Sequence, residues 1–360
     1  MTLPAASRRA NAASRRRGTW LPFGGEAGRR GVGAVLAACL CAYTAVLLVR
    51  MGALARLPLE EKGVVLAGWV LLYAGMVRSA QTPGRMRRRF DGDVVGGIAF
   101  SVLVVMMAAA VLAPLLVAVH PSDVAPAARY EAPSASHAMG TDRFGRDVWS
   151  RVVYGARASF GVCALSVALA VAIGTLFGAL SGIAPRRVDD AMMRAVDGLL
   201  SFPRLLLLLT AVALVPPGAG TLAVFIAVTG WMGMARIVRG EVRRMRSREF
   251  VDAAIATGVA TPRLLARHLL PNALGALVIA ATLNAGTVIL VESSLSFLGL
   301  GLAPPTPSWG GMVFEGRDAL STAWWVSAFP AFAITVAVVA LNLVGDGIRD
   351  ALDARSSMEA

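Results

Sequence analysis

Six stretches of this sequence run without a charged side chain for long enough to cross a hydrocarbon layer, which takes about 17–25 helical residues. They are residues 31–49, 94–119, 158–184, 205–235, 273–291 and 319–345, and 63–77 is a shorter seventh. The run 205–235 is too long for one crossing and contains Val215-Pro216-Pro217-Gly218-Ala219-Gly220. It reads as most of two helices joined by a tight turn, which brings the count to eight spans. Inside a bilayer the backbone satisfies its own polar groups only as helix or closed barrel. Runs of this length predict helices, so the expected class is an all-α polytopic membrane protein. Only 16% of the 360 residues are charged, against about 25% in soluble chains.

The formal charge of +13 is concentrated between the apolar runs. Residues 1–30 carry seven arginines against Glu26, residues 78–93 five against Asp91 and Asp93, and residues 236–268 eight against Glu241, Glu249 and Asp252. Residues 120–154 balance four arginines with Asp123, Glu131, Asp142 and Asp147, and 298–318 set Arg317 against Glu315 and Asp318. Basic segments stay on the cytoplasmic side. Eight spans with both termini inside satisfy every loop and place 120–154 and 298–318 outside. The charge therefore does not point to nucleic acid. The implied organisation is a basic tail 1–30, an extra hairpin 31–78, a first core span with basic lead-in 79–119, an external loop 120–154, a main transmembrane domain 155–350 and a tail 351–360. No secretory signal is expected, because 1–30 lacks an apolar core. Cys39, Cys41 and Cys163 all lie in apolar runs and read as small buried hydrophobes, not a disulfide or metal set.

The internal cytoplasmic loop is the most organised stretch. Residues 247–258 read as a short helix, with Ser247 as N-cap, Glu249 and Asp252 at its positive start and Gly258 as its stop. Thr261 as N-cap and Pro262 at the first helical position open a second short helix, and Pro271 is expected to end it before the next span. Ala253, Ala254 and Ala256 leave the surface of the first helix open to close approach by another protein. A loop with only a connecting role needs none of this.

Here the sequence resembles a known family. Asp252-Ala253-Ala254, then Gly258, His268, Leu270 and Pro271, resemble at matching spacing the E-A-A-x3-G-x9-I-x-L-P loop of ABC-importer permeases. Asp stands for Glu, and His for Ile. His137 to Arg151, with Gly140-Thr141-Asp142 and Gly145-Arg146-Asp147, is similar to an external segment of the C-type dipeptide and oligopeptide permeases. Glu292-Ser293-Ser294-Leu295-Ser296-Phe297-Leu298-Gly299, Pro304-Pro305-Thr306-Pro307-Ser308-Trp309-Gly310 and Gly345-Asp346-Gly347 resemble further segments of that branch. The resemblance covers residues 85–353. It implies a type I (MetI-like) ABC-importer transmembrane domain of six core spans, to which the 31–78 hairpin is an addition.

The resemblance also implies the partners: a related B-type permease subunit, two ABC ATPase subunits that hold the ATP and magnesium, and an extracytoplasmic substrate-binding protein. The 252–271 loop would fit a cleft in the ATPase, and the substrate would be a di- or oligopeptide. The same architecture also serves nickel chelates and other small solutes. No cofactor or catalytic residue is expected in this chain. A phosphate-binding P-loop needs G-x4-G-K-[ST], and the single lysine, Lys62, follows Leu59-Glu60-Glu61 in an external turn.

Several residues admit two readings. Glu292 would line the external mouth or cap the 293–298 turn. Arg204, after Pro203, would line the pathway or reach back to the cytoplasmic interface. Asn284 and Asn342 would bond between helices or meet substrate. Gly140, Thr141, Asp142, Gly145, Arg146 and Asp147 would form a turn stitched by an Asp–Arg pair, a docking surface for the binding protein, or both. Trp149, Trp309, Trp324 and Trp325 fit an interfacial aromatic belt. An intramembrane enzyme would need paired carboxylates or a Ser–His or His–Glu constellation within spans, whereas His120, His137 and His268 all lie in loops. An ion-gradient transporter would show inverted repeats and intramembrane charge, which these spans lack.

Overall fold

Charge-free runs with no alternation of polar and apolar residues can satisfy their backbone only locally, and all of those described are helical. The computed structural model describes residues 94–215 and 218–356. The basic tail, the 31–78 hairpin and the Pro216-Pro217 turn lie outside the described residues. The helices are α1 (Val94–Val111), α2 (Val148–Ile183), α3 (Arg186–Leu200), α4 (Arg204–Ala213), α5 (Ala219–Val228) and α6 (Trp231–Arg246). After them come α7 (Glu249–Ala256), α8 (Thr261–Leu264), α9 (Leu270–Phe297), α10 (Trp309–Gly316) and α11 (Trp325–Ser356).

Three uninterrupted helical stretches are long and apolar enough to cross a membrane: α2, the 37 residues Thr261–Phe297, and residues 325–350 of α11. The pairs α3/α4 and α5/α6 pass the same test jointly, bent by 75° and 45°, and α1 is shorter at 18 residues. Six charged residues between Arg186 and Asp197 keep α3 itself out of hydrocarbon.

The core lies where α2, α5, α9 and α11 meet, around Val162, Ile226, Ile289, Leu295 and Leu341. The tightest contact joins α2 to α6. Gly174, Gly178 and Gly182 form a small-xxx-small stripe that lets the α6 backbone approach directly. A Cβ on Gly174 would lie 2.8 Å from the Trp231 carbonyl oxygen, and one on Gly182 2.7 Å from Val242 Cγ1.

Several expectations need correction. Ser247 does not cap α7: its hydroxyl bonds the Arg244 carbonyl at the end of α6, and α7 begins after Arg248. Thr261 is the first helical residue of α8, not its cap. Pro271 does not end a helix. One π-helical turn, Leu265–Leu269, precedes it, with Leu270 N–H bonding the Leu265 carbonyl. That wider turn absorbs the missing N–H and ring bulk of proline, so the helix runs on into α9. The final helix likewise continues past residue 350.

The aromatic belt reading holds for neither Trp309 nor Trp325, which are 1% and 7% exposed. Their indole N–H groups bond the Val152 and Thr141 carbonyls at 2.9 and 3.1 Å. Trp149 and Trp324 are exposed.

Candidate functional site

Between α6 and α9, α7 and α8 form a short helical hairpin. Glu249 and Asp252 occupy the first turn of α7, where the helix dipole favours negative charge. Gly258 closes α7 at φ +79°. Its N–H bonds the Ile255 carbonyl at 2.9 Å, and Val259 N–H bonds the Ala254 carbonyl at 3.0 Å, the paired bonds of a Schellman motif. Nothing lies within 4 Å of where a Gly258 Cβ would sit, so conformation and not crowding selects glycine.

Three apolar side chains pin the hairpin down. Val251, Leu264 and Leu269 are buried against Ala179, Val238, Val242 and Met245. The remaining surface is open: Asp252, Ala253, Gly258, His268 and Pro271 are exposed, and Ala254 and Leu270 half-buried. Phe250 and Ile255 present large apolar side chains to solvent at 45% and 57% exposure. This surface is held from behind, small at its centre and greasy at its edges, with nothing of the described chain across it. It can seat another protein; among the described residues no three metal-ligating side chains cluster anywhere.

In the loop before α2, Asp142 organises a compact cap. Its carboxylate accepts from Phe144 N–H at 2.8 Å, Arg146 N–H at 3.0 Å and Arg146 Nε at 2.6 Å, and it pairs with Arg151. Glu315, on α10, completes the network with Arg146 and Arg151, each at 2.7 Å. Burial opposes charge on Glu315, but bonding and charge from Arg151, with the charge of Arg146, outweigh it and hold the carboxyl below its ordinary range. Asp147 caps α2 through Ser150 N–H at 2.7 Å and meets His137 Nδ1 at 3.0 Å.

Thr141 and Asp147 bridge across the turn. Gly140 sits at φ +72°, where a Cβ would lie 2.6 Å from the Glu131 carbonyl oxygen and from Trp325 Nε1. Gly140, Thr141, Asp142, Gly145, Arg146 and Asp147 are thus all buried. They do not themselves form an outward docking face, because their polar atoms are spent within the cap. Arg143, Phe144 and Trp149 are the exposed neighbours.

The three pathway residues are placed differently from one another. Glu292 does not line a mouth. It is fully buried among hydroxyls, with Ser296 Oγ at 2.8 Å, Ser159 Oγ at 3.3 Å and Ser293 Oγ at 3.4 Å. Ser308, which caps α10, lies beside Ser296. Trp309 then fills the gap to α2, and Gly310 lets α10 approach Ser293, where a Cβ would meet Ser293 Cα at 2.6 Å. Arg204 turns inward and bonds the Ile226 carbonyl at 3.0 Å and Thr229 Oγ1 at 3.3 Å. It caps the end of α5 at the break before α6. Asn284 keeps its buried Nδ2 without a hydrogen-bond partner among the described residues, and Asn342 packs against Gly286.

The sequence alone does not reveal a further polar cluster, between α2, α3 and α6. Asp189 on α3 is fully buried and meets Arg239 and Arg243 of α6 and Ser181 of α2. The available signal is its seven-residue spacing from Val196, which puts an acid in line with the buried valine of an amphipathic helix.

Residues 174–358 match the family model described as "Binding-protein-dependent transport system inner membrane component". The dipeptide transport system permease protein DppC of Bacillus subtilis (strain 168) is 44% identical over 61% of this chain and 69% of its own. The oligopeptide transport system permease protein OppC of the same organism is 37% identical over 74% and 87%. The di/tripeptide transport system permease protein DppC of Pseudomonas aeruginosa (strain UCBPP-PA14) is 38% identical over 72% and 87%. A solved chain of the MetNI methionine ABC transporter, inward facing, matches at a TM-score of 0.47 and 19% identity, over 56% of this chain and 96% of that one, a likeness too slight to argue from. The chain belongs to the binding-protein-dependent transport system inner membrane components, with the all-α transmembrane domain of a type I ABC importer.

Proposed function

We propose that this chain is one permease subunit of an ATP-driven importer of di- or oligopeptides. The observation that carries the reading is the exposed α7–α8 hairpin, pinned by Val251, Leu264 and Leu269 and leading without interruption into the 37-residue helix that ends at Phe297. Such a hairpin turns a push from a cytoplasmic protein into tilting of a span. The chain has no lysine for a Walker A loop outside the 59–63 turn, so hydrolysis belongs to two separate ATPase subunits, which hold ATP and magnesium.

In this reading both termini are cytoplasmic, and the chain sits in a bacterial inner membrane. A related B-type permease completes the pathway between the two subunits, and an extracytoplasmic binding protein delivers peptide to the outer face. ATP supplies the difference in affinity between inward- and outward-facing states that a directed cycle requires. Peptide as cargo is supported by the names of the DppC and OppC relatives.

The test combines Asp252→Arg with Gly258→Pro in the assembled transporter. Loss of ATPase co-purification and of peptide uptake is expected. A variant that retains both sinks the coupling role of the hairpin. Mass spectrometry of the cognate binding protein's ligand tests the cargo separately, and a nickel chelate there would displace the peptide.

A further inference from the structure

Helix α3 is held to the rest of the chain in an unusual way. Of its fifteen residues only Asp189 and Val196 are buried and Met192 and Met193 half-buried, so little apolar surface attaches it. Its anchor is the Asp189 carboxylate. Arg239 forks onto it with Nε at 2.5 Å and a second nitrogen at 2.6 Å, Arg243 adds a contact at 2.5 Å, and Ser181 donates from the end of α2. Arg239 and Arg243 stand one turn apart on α6, so two cations of one helix converge on a single acid of another. An exposed Arg236–Asp197 pair lies further along the same contact. Arg246 bonds the Ile183 carbonyl, which ties the last turn of α6 to the end of α2.

The position of this knot gives it a use. Three residues beyond Arg246 the chain enters α7, the start of the exposed hairpin. In the other direction α3 passes through residues 201–203 and a 75° bend into α4, whose apolar residues place it in the membrane. Force arriving at α6 from the hairpin therefore has a polar route into α4. The carboxyl of Asp189 is held down to about 2, chiefly by the Arg239 hydrogen bond, so the knot keeps its charge throughout the physiological range.

We propose that Asp189 is a positioning residue that makes the α3–α4 arm move as one body with α6 and the coupling hairpin. The inference rests on the coupling reading of that hairpin. It adds a transmission element on a different helix from the loop motif.

The test uses the full assembly in proteoliposomes, with nitroxide labels replacing Leu214 at the far end of α4 and Arg244 on α6, both exposed. In the otherwise native chain the label-to-label distance should be the same without nucleotide and with ATP trapped. With Asp189→Asn it should change by several ångströms on trapping, while ATPase subunits still co-purify and hydrolysis stays within twofold. Asp189→Glu should restore the constant distance, and Asp197→Asn should leave it constant. An Asp189→Asn distance that stays constant overturns the proposal. So does a native distance that shifts as much as the variant's, or an Asp189→Asn chain that no longer binds ATPase, which would make the residue merely structural. Failure of the native assembly to bind ATPase would instead defeat the coupling reading, so the two failures are distinguishable.

Discussion

Gly178 on α2 and Ala235 on α6 meet backbone to backbone: a Cβ on Gly178 would lie 3.0 Å from both the Ala235 carbonyl carbon and its Cα. Backbone cannot swing aside as a side-chain tip does, so Gly178→Val should force the helices apart. Overpacking of this kind costs about 1–3 kcal/mol. Gly233→Ala, also on α6 but with open space around its Cβ, should be neutral or stabilising by up to about 1 kcal/mol. Thermal unfolding of the two purified variants in detergent checks the pair.

The external cap depends on a buried charge network, and removal of one member strands the others. Asp142→Ala leaves Arg146 and Arg151 buried beside Glu315 alone. A loss of about 3–5 kcal/mol is expected, as for other broken buried pairs. Asp123→Ala, which removes only an exposed bond to His120 N–H, should change stability by less than about 0.5 kcal/mol. Limited proteolysis of the purified protein should report the difference as early cleavage within residues 120–147.

Acid should dissolve the α3 anchor in a defined window. A carboxyl whose folded value is depressed contributes stability in full above its unfolded value and loses it as pH falls through the folded one. For Asp189 those limits are 3.8 and about 2. The stability gap between the native chain and Asp189→Asn should be constant from pH 7 to about pH 4 and close by about pH 2. A gap that closes already at pH 6 would assign the effect to another group.

Glu292 sits in a cage of serine hydroxyls with no cation in contact among the described residues. An amide can serve the same hydroxyls, so Glu292→Gln should fold and keep a melting temperature near that of the native chain. Glu292→Ala leaves Ser159 and Ser296 unpartnered beside a void, at a cost of about 2–4 kcal/mol. The comparison of the two melting temperatures decides it.

The helical class and the placement of the spans were legible because absence of charge is a one-dimensional property. No partner needs to be known for residues 158–184 to be recognised as apolar. The hairpin's Gly258 stop was legible for a similar reason: it is a local conformational demand. Tertiary compensation hid the rest. Pro271 looks like a terminator until the π turn at 265–269 takes up its ring. Trp309 and Trp325 look interfacial until their indole N–H groups find the Val152 and Thr141 carbonyls. Arg204 was weighed as pathway or interface because its actual acceptor, the Ile226 carbonyl, exists only where α5 breaks. Asp189 looks like one more charge in the balanced segment 186–197, since its two arginines lie fifty residues and more away.

The uninterrupted helix from the π turn to Phe297 sets a mechanical ratio. Its α9 portion has 28 residues and is about 42 Å long at 1.5 Å per residue. A tilt of about 10° pivoting at Leu265–Leu269 would carry Phe297 sideways by about 7 Å, more than half the width of a helix. The cage around Glu292 and the α10 contact at Gly310 ride on that far end. On the proposed coupling, a pivot so near the hairpin and a load so far from it would make α9 a gain element: small strokes at the hairpin would become wide ones at Phe297.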